Sequence, residues 1–241
     1  MQSRLIPRSM RIGLRASALW AVAIGLFAFE VHATRPMITD DAGLIEPKTC
    51  QFEGWVQLNR DNRETWLMPA CNITGNLEVT LGGGRTREND SILSTDLVAQ
   101  VKTNIKPVDV NGWGMGLVAG IGRHRRADGS PRDWYAYVPI SFSLRDDAAA
   151  VHANLGWIRE GETRRNRATW SLGTEFRVTE TTWMIAETFG QGADRPYFHV
   201  GFRYWLVANR IQLDATYGHG GTRDERWISI GVRLLTGRWF R

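Results

Sequence analysis

The sequence predicts an all-β protein: a transmembrane antiparallel up-and-down β-barrel of about twelve strands behind an N-terminal signal peptide. Three features point there. They are an export signal, hydrophobic alternation of period two along nearly all of the remaining chain, and connectors that alternate in length.

The export signal spans residues 1–33. Arg4, Arg8, Arg11 and Arg15 precede an apolar run from Ala16 to Phe29, and Val31-His32-Ala33 supplies a cleavage site of small residues. The run is 14 residues long, short of the roughly 20 that a spanning helix needs. Its removal takes four arginines and Glu30, so the formal charge falls from +5 to +2. A mature chain so close to neutrality offers nothing to a polyanion, and nucleic acid is excluded as a partner.

Alternation defines the strands. In Trp113 to Ile121 the large residues Trp113, Met115, Leu117, Ala119 and Ile121 share one face, and Gly114, Gly116, Val118 and Gly120 leave the other nearly bare. The same period places Trp134, Ala136, Val138, Ile140 and Phe142 on one side of the next strand, and Phe198, Val200, Phe202, Tyr204 and Leu206 on one side of a later one. Charged and polar residues take the opposite parity, so one face wants an apolar medium and the other tolerates water.

The connectors are read as long at Asn59–Arg63, Gly83–Leu93, Arg123–Arg132, Arg159–Asn166, Gly190–Arg195 and His219–Glu225, and short at the five places between. Gly82-Gly83-Gly84 is read as a loop entry, because no helix or GK[ST] follows to make it a phosphate cradle. Long arginine-rich loops at one end and tight turns at the other describe an outer-membrane barrel, residues 50–241, with both chain ends on the periplasmic side. Trp113, Trp134, Trp183 and Trp205 lie near strand ends and are expected to form interfacial girdles.

The only two cysteines, Cys50 and Cys71, lie symmetrically about the loop residues Arg60 and Asp61. A symmetric hairpin opposes them, and also opposes Trp55 to Trp66 and Phe52 to Pro69, at the spacing a disulfide accepts. Export to an oxidising compartment favours the bond. Two thiols are too few for a structural zinc site, and no metal or cofactor is expected.

Parity sends Glu175, Arg177, Glu187, Arg203, Asp214, Arg233 and Lys102 to the inner wall, where they are the pore candidates. Such charges either line a narrow aqueous path or pair with one another and close it. Glu187 is singled out because Arg177 and Arg203 lie on the strands beside its own. The segment 34–49, with Asp40, Asp41 and Glu46, precedes the first strand in the periplasm. It is a candidate plug that would pair Asp40 or Asp41 with lumen arginines such as Arg177 or Arg233, the alternative being a disordered tail. His152, His199, Ser171 and Ser229 also take inner parity and His124 and His219 are read as loop residues, but no motif ties a serine to a histidine. An enzyme is therefore not expected, and a lipid-modifying one is the least favoured reading.

The stretch Arg35-Pro36-Met37-Ile38-Thr39-Asp40-Asp41-Ala42, together with Ile185-Ala186-Glu187-Thr188-Phe189-Gly190, resembles the phenol-degradation meta-pathway family of outer-membrane β-barrel proteins and transporters. The resemblance implies a porin-like barrel linked to uptake of aromatic compounds and supplies no catalytic residues. The chain departs from barrel habit at its end, where Arg241 follows Trp239-Phe240. Taken together, the expectation is a narrow passive channel for small solutes in the Gram-negative outer membrane. A closed structural barrel without transport is the alternative. The expected partners are the solutes, the barrel-assembly machinery, outer-membrane lipids and lipopolysaccharide, the last through loop arginines Arg123, Arg125, Arg126, Arg164, Arg165 and Arg167.

Overall fold

The computed structural model describes residues 37–88, 91–221 and 225–238. The signal peptide, Arg35-Pro36 and the Trp239-Phe240-Arg241 end lie outside the described residues. Twelve strands run in chain order: β1 (Cys50–Asn59), β2 (Arg63–Asn72), β3 (Glu78–Glu88), β4 (Ser91–Lys106), β5 (Trp113–Arg125), β6 (Arg132–Leu144), β7 (Ala149–Arg159), β8 (Asn166–Arg177), β9 (Thr182–Gln191), β10 (Tyr197–Val207), β11 (Ile211–Gly220) and β12 (Glu225–Leu235). Each pairs antiparallel with its chain neighbours, and β1 also pairs with β12, as in Glu53↔Arg233, so the sheet closes. Closure satisfies every edge, which an apolar medium demands.

The alternation read from the sequence sorts the side chains between the two faces. Leu81, Leu155 and Ile230 are 61%, 67% and 65% exposed on the outside, a degree of apolar exposure that only a lipid environment tolerates over a whole wall. Inward positions of the same strands hold Thr80, Asn154 and Ser229, all buried. The core of this protein is therefore polar, and its hydrophobic surface is on the outside.

The first hairpin has the register expected from its symmetry. Cys50 opposes Cys71, Phe52 opposes Pro69 and Trp55 opposes Trp66, and the cysteines are joined by a disulfide. The bond lies on the parity opposite to Gln51 and Glu53, at the end of the barrel where the chain enters.

Several readings are corrected. Gly83–Leu93 is not a long connector: β3 continues to Glu88 and β4 begins at Ser91. The three glycines are strand residues, and Gly84 is there because a β-carbon would come within 2.4 Å of the Trp66 indole. His124 and His219 are in β5 and β11, not in loops. The contrast in connector length also fades, since 60–62 is as short as 208–210 and 107–112 as long as 126–131. Antiparallel hairpins keep pairing past the membrane, because the ladder goes on satisfying backbone groups, so residues read as loop belong to strands. Finally, Trp113 and Trp134 are exposed on the outside at 43% and 53%, whereas Trp183 and Trp205 share the inward parity of Ile185 and Arg203 and lie at the mouth on the Cys50 end.

Candidate functional site in the barrel lumen

Residues 37–49 do not leave the barrel. They run inside it from the Cys50 end, and six strands hold them through inward side chains. On β2, the Asn72 amide donates to the Ile45 carbonyl at 2.7 Å, and the Lys48 N–H donates to the Asn72 carbonyl at 2.8 Å. On β3, Glu78 accepts the Ile45 N–H at 3.0 Å. On β4, Lys102 reaches the Asp40 carboxylate at 2.8 Å and Asp41 at 3.5 Å, and the Tyr137 hydroxyl of β6 donates to the other Asp40 oxygen at 2.9 Å. On β7, Asn154 accepts the Asp40 N–H and donates to its carbonyl, both at 2.8 Å, as a neighbouring strand would. On β9, Glu187 accepts the Ile38 and Thr39 N–H groups at 2.8 and 2.7 Å. An irregular segment carries unsatisfied backbone groups, and these side chains satisfy them.

The wall is arranged to receive the segment. Pro139 interrupts the β5·β6 ladder, which is paired at Met115↔Ile140 and resumes at Val118↔Tyr137, because proline has no N–H to donate. Gly116 opposite leaves room there, since a β-carbon would lie 3.3 Å from the Pro139 ring and 3.8 Å from the Ala42 carbonyl.

Each pore candidate has a place. Glu187 faces His199 of β10, whose Nδ1 is 2.5 Å away, rather than Arg177 or Arg203. Glu175 and Arg203 pair with each other at 2.6 Å. Arg233 lies 3.4 Å from Glu53 and donates to Gln51 at 2.6 Å. Asp214 is buried on β11 directly across from Arg203. Arg177 is at the rim on the Cys50 end, its guanidinium 5.8 Å from the Trp183 ring centre. Asp40 and Asp41 therefore meet Lys102. Arg177 is too near the rim, and Arg233 is already held by β1.

Sequence reasoning missed one constellation. Ser141 and His152 are directly opposed on β6 and β7, with Oγ and Nδ1 2.7 Å apart, and His152 Nε2 lies 3.6 Å from Glu175. No sequence motif ties Ser141 to His152, and only strand register brings them together. Ser141 Oγ accepts the Ala42 N–H at 2.7 Å and is buried. The relay from Arg203 through Glu175 and His152 thus ends on a backbone amide and acts as another anchor. A second buried group, His124 between Asp96 at 2.8 Å and Asp133 at 3.1 Å, ties β4, β5 and β6 near the end opposite Cys50.

Beyond the segment, the half of the lumen away from Cys50 is lined by aromatic rings. Trp55 stacks on Trp66 at 5.7 Å and Phe189 on Tyr197 at 5.3 Å, and Trp227 is tilted against both members of the second pair. Gly120, on the face that looked bare in the sequence, lies under the Tyr135 ring, and Gly218 lies under the Trp227 ring.

A closed twelve-stranded barrel with an apolar exterior and a charged, ring-lined interior defines an outer-membrane barrel of porin architecture. Solved structures share it: the KdgM porin in complex with disordered oligogalacturonate (TM-score 0.62, 10% identity, 78% of this chain and 99% of that one), the NanC porin (0.58, 12%, 77% and 98%), and an outer-membrane channel from Pseudomonas putida F1 (0.53, 11%, 81% and 98%). Residues 22–236 match the family described as uncharacterised conserved protein UCP029691, and the chain belongs to that family. Among curated proteins none matches the sequence.

Proposed function

We propose that this protein is a channel for small solutes in the Gram-negative outer membrane, exported by its signal peptide, and that residues 34–49 form a plug that sets its bore. The observation that carries this reading is the grip on residues 37–49. A segment held by side chains from six strands, with Lys102 and Asp40 buried against each other, is built into the passage. The porin architecture of the structural neighbours supports transport over a closed structural barrel. Small aromatic compounds, which the family resemblance implies, are the first solutes to try.

Planar-bilayer conductance of the mature protein and of a variant lacking Met37 to Lys48 tests it. The deletion should raise the single-channel conductance severalfold, and Arg203→Glu in that background should change ion selectivity. Equal conductance of the two proteins would remove the plug. Absence of conductance from the folded deletion variant would make the barrel a closed structural one.

A further inference from the structure

The arginines at the extracellular strand ends separate by the face they take. Arg126 is bound to Glu162, and Arg167 to Asp194 and Glu160, so these two loop-end cations are already compensated. Arg63 and Arg87 are directly opposed on β2 and β3, and Arg123 and Arg132 on β5 and β6. Arg85 and Arg125 flank Thr95 in one row across β3, β4 and β5. All six carry the outward parity of Leu67, Leu97 and Trp134, which are 56%, 49% and 53% exposed.

The acids of the same strand ends take the other face. Glu64 is bound to Asn59 and Trp66, and Asp96 and Asp133 to His124. Outside, among the described residues, cation therefore opposes cation with no acid between. Directly opposed strand residues have β-carbons about 4.5 to 5.5 Å apart, and like charges there weaken a sheet. Two such pairs in one patch make sense when an anion sits between the guanidinium forks, whose donors match phosphate oxygens.

We propose that this belt binds the phosphate groups of an acylated, phosphorylated glycolipid of the outer leaflet, of the lipid A kind. The row lies one step beyond the apolar band, where headgroup phosphates begin, so the anion comes attached to acyl chains that cover Leu67, Leu97 and Trp134. The inference rests on the outer-membrane placement and is independent of whether the lumen conducts.

The test uses the folded full-length mature protein in detergent, with bisphosphorylated lipid A, lipid A stripped of both phosphates, and inorganic phosphate as probes. Native mass spectrometry and the unfolding temperature are the readouts. Only the bisphosphorylated lipid should stay bound and raise the unfolding temperature. The double variant Arg63→Gln/Arg132→Gln, which breaks both opposed pairs, should lose about tenfold in lipid affinity. In lipid-free detergent it should unfold no earlier than the parent, because repulsion has been removed. If it fails to fold, Arg87→Gln/Arg123→Gln breaks the same pairs from the other side. Equal retention of bisphosphorylated lipid A by parent and variant overturns the proposal. So does an equal effect of phosphate-free lipid or of inorganic phosphate, and so does a parent that retains no lipid A, whatever its conductance.

Discussion

Lys102 and Asp40 are each 3% exposed at the side chain and 2.8 Å apart. A pair this buried adds little net stability compared with apolar residues of the same shape, yet removing one member strands the other. Lys102→Met should therefore destabilise the barrel by roughly 3 to 5 kcal/mol, while Lys102→Met/Asp40→Leu recovers much of the loss. Urea unfolding in detergent measures both, and a single variant as stable as the parent would take this pair out of the anchoring account. Parity alone marks Lys102 as inward in the sequence. That its partner is Asp40 could not be read, because nothing local says how far up the lumen a strandless segment climbs. Glu187 was legible as a buried carboxylate in need of donors, but not that two of its donors are the Ile38 and Thr39 backbone amides.

Among the strands, β1 and β2 form the hairpin whose register was fully legible, since two cysteines symmetric about a tight loop leave one pairing. Thiol labelling of the unreduced, denatured protein should find no free cysteine, and two labelled thiols would contradict the register. Closing a loop with a sequence separation of 21 restricts the unfolded chain by about 3 kcal/mol in the chain-entropy account. Cys50→Ala/Cys71→Ala should accordingly unfold at lower urea with the fold retained. The β3 end was less legible. Glycines there resemble turn residues, and only the Trp66 ring lying across Gly84 explains it as strand.

In the complete barrel, a closed ladder from β1 to β12 leaves no edge from which unfolding can start. The unboiled protein should migrate faster on gels than the boiled one and fractionate with the outer membrane, and quantitative recovery in the soluble periplasm would end the barrel assignment. Closure also converts parity into location. Every inward residue shares one narrow space, which is why Ser141 meets His152 across β6 and β7 and why six strands can grip one segment.

The barrel, its approximate strand number, the face most strand residues take and the register of the first hairpin were all readable from the chain alone. They follow from a period of two and from short-range symmetry, both local properties of a strand. The partners inside were not readable in this way. Which charges pair, where the segment 37–49 lies and which rings stack depend on the curvature and closure of the sheet. Closure sets residues more than a hundred positions apart side by side, as with Ile38 and Glu187.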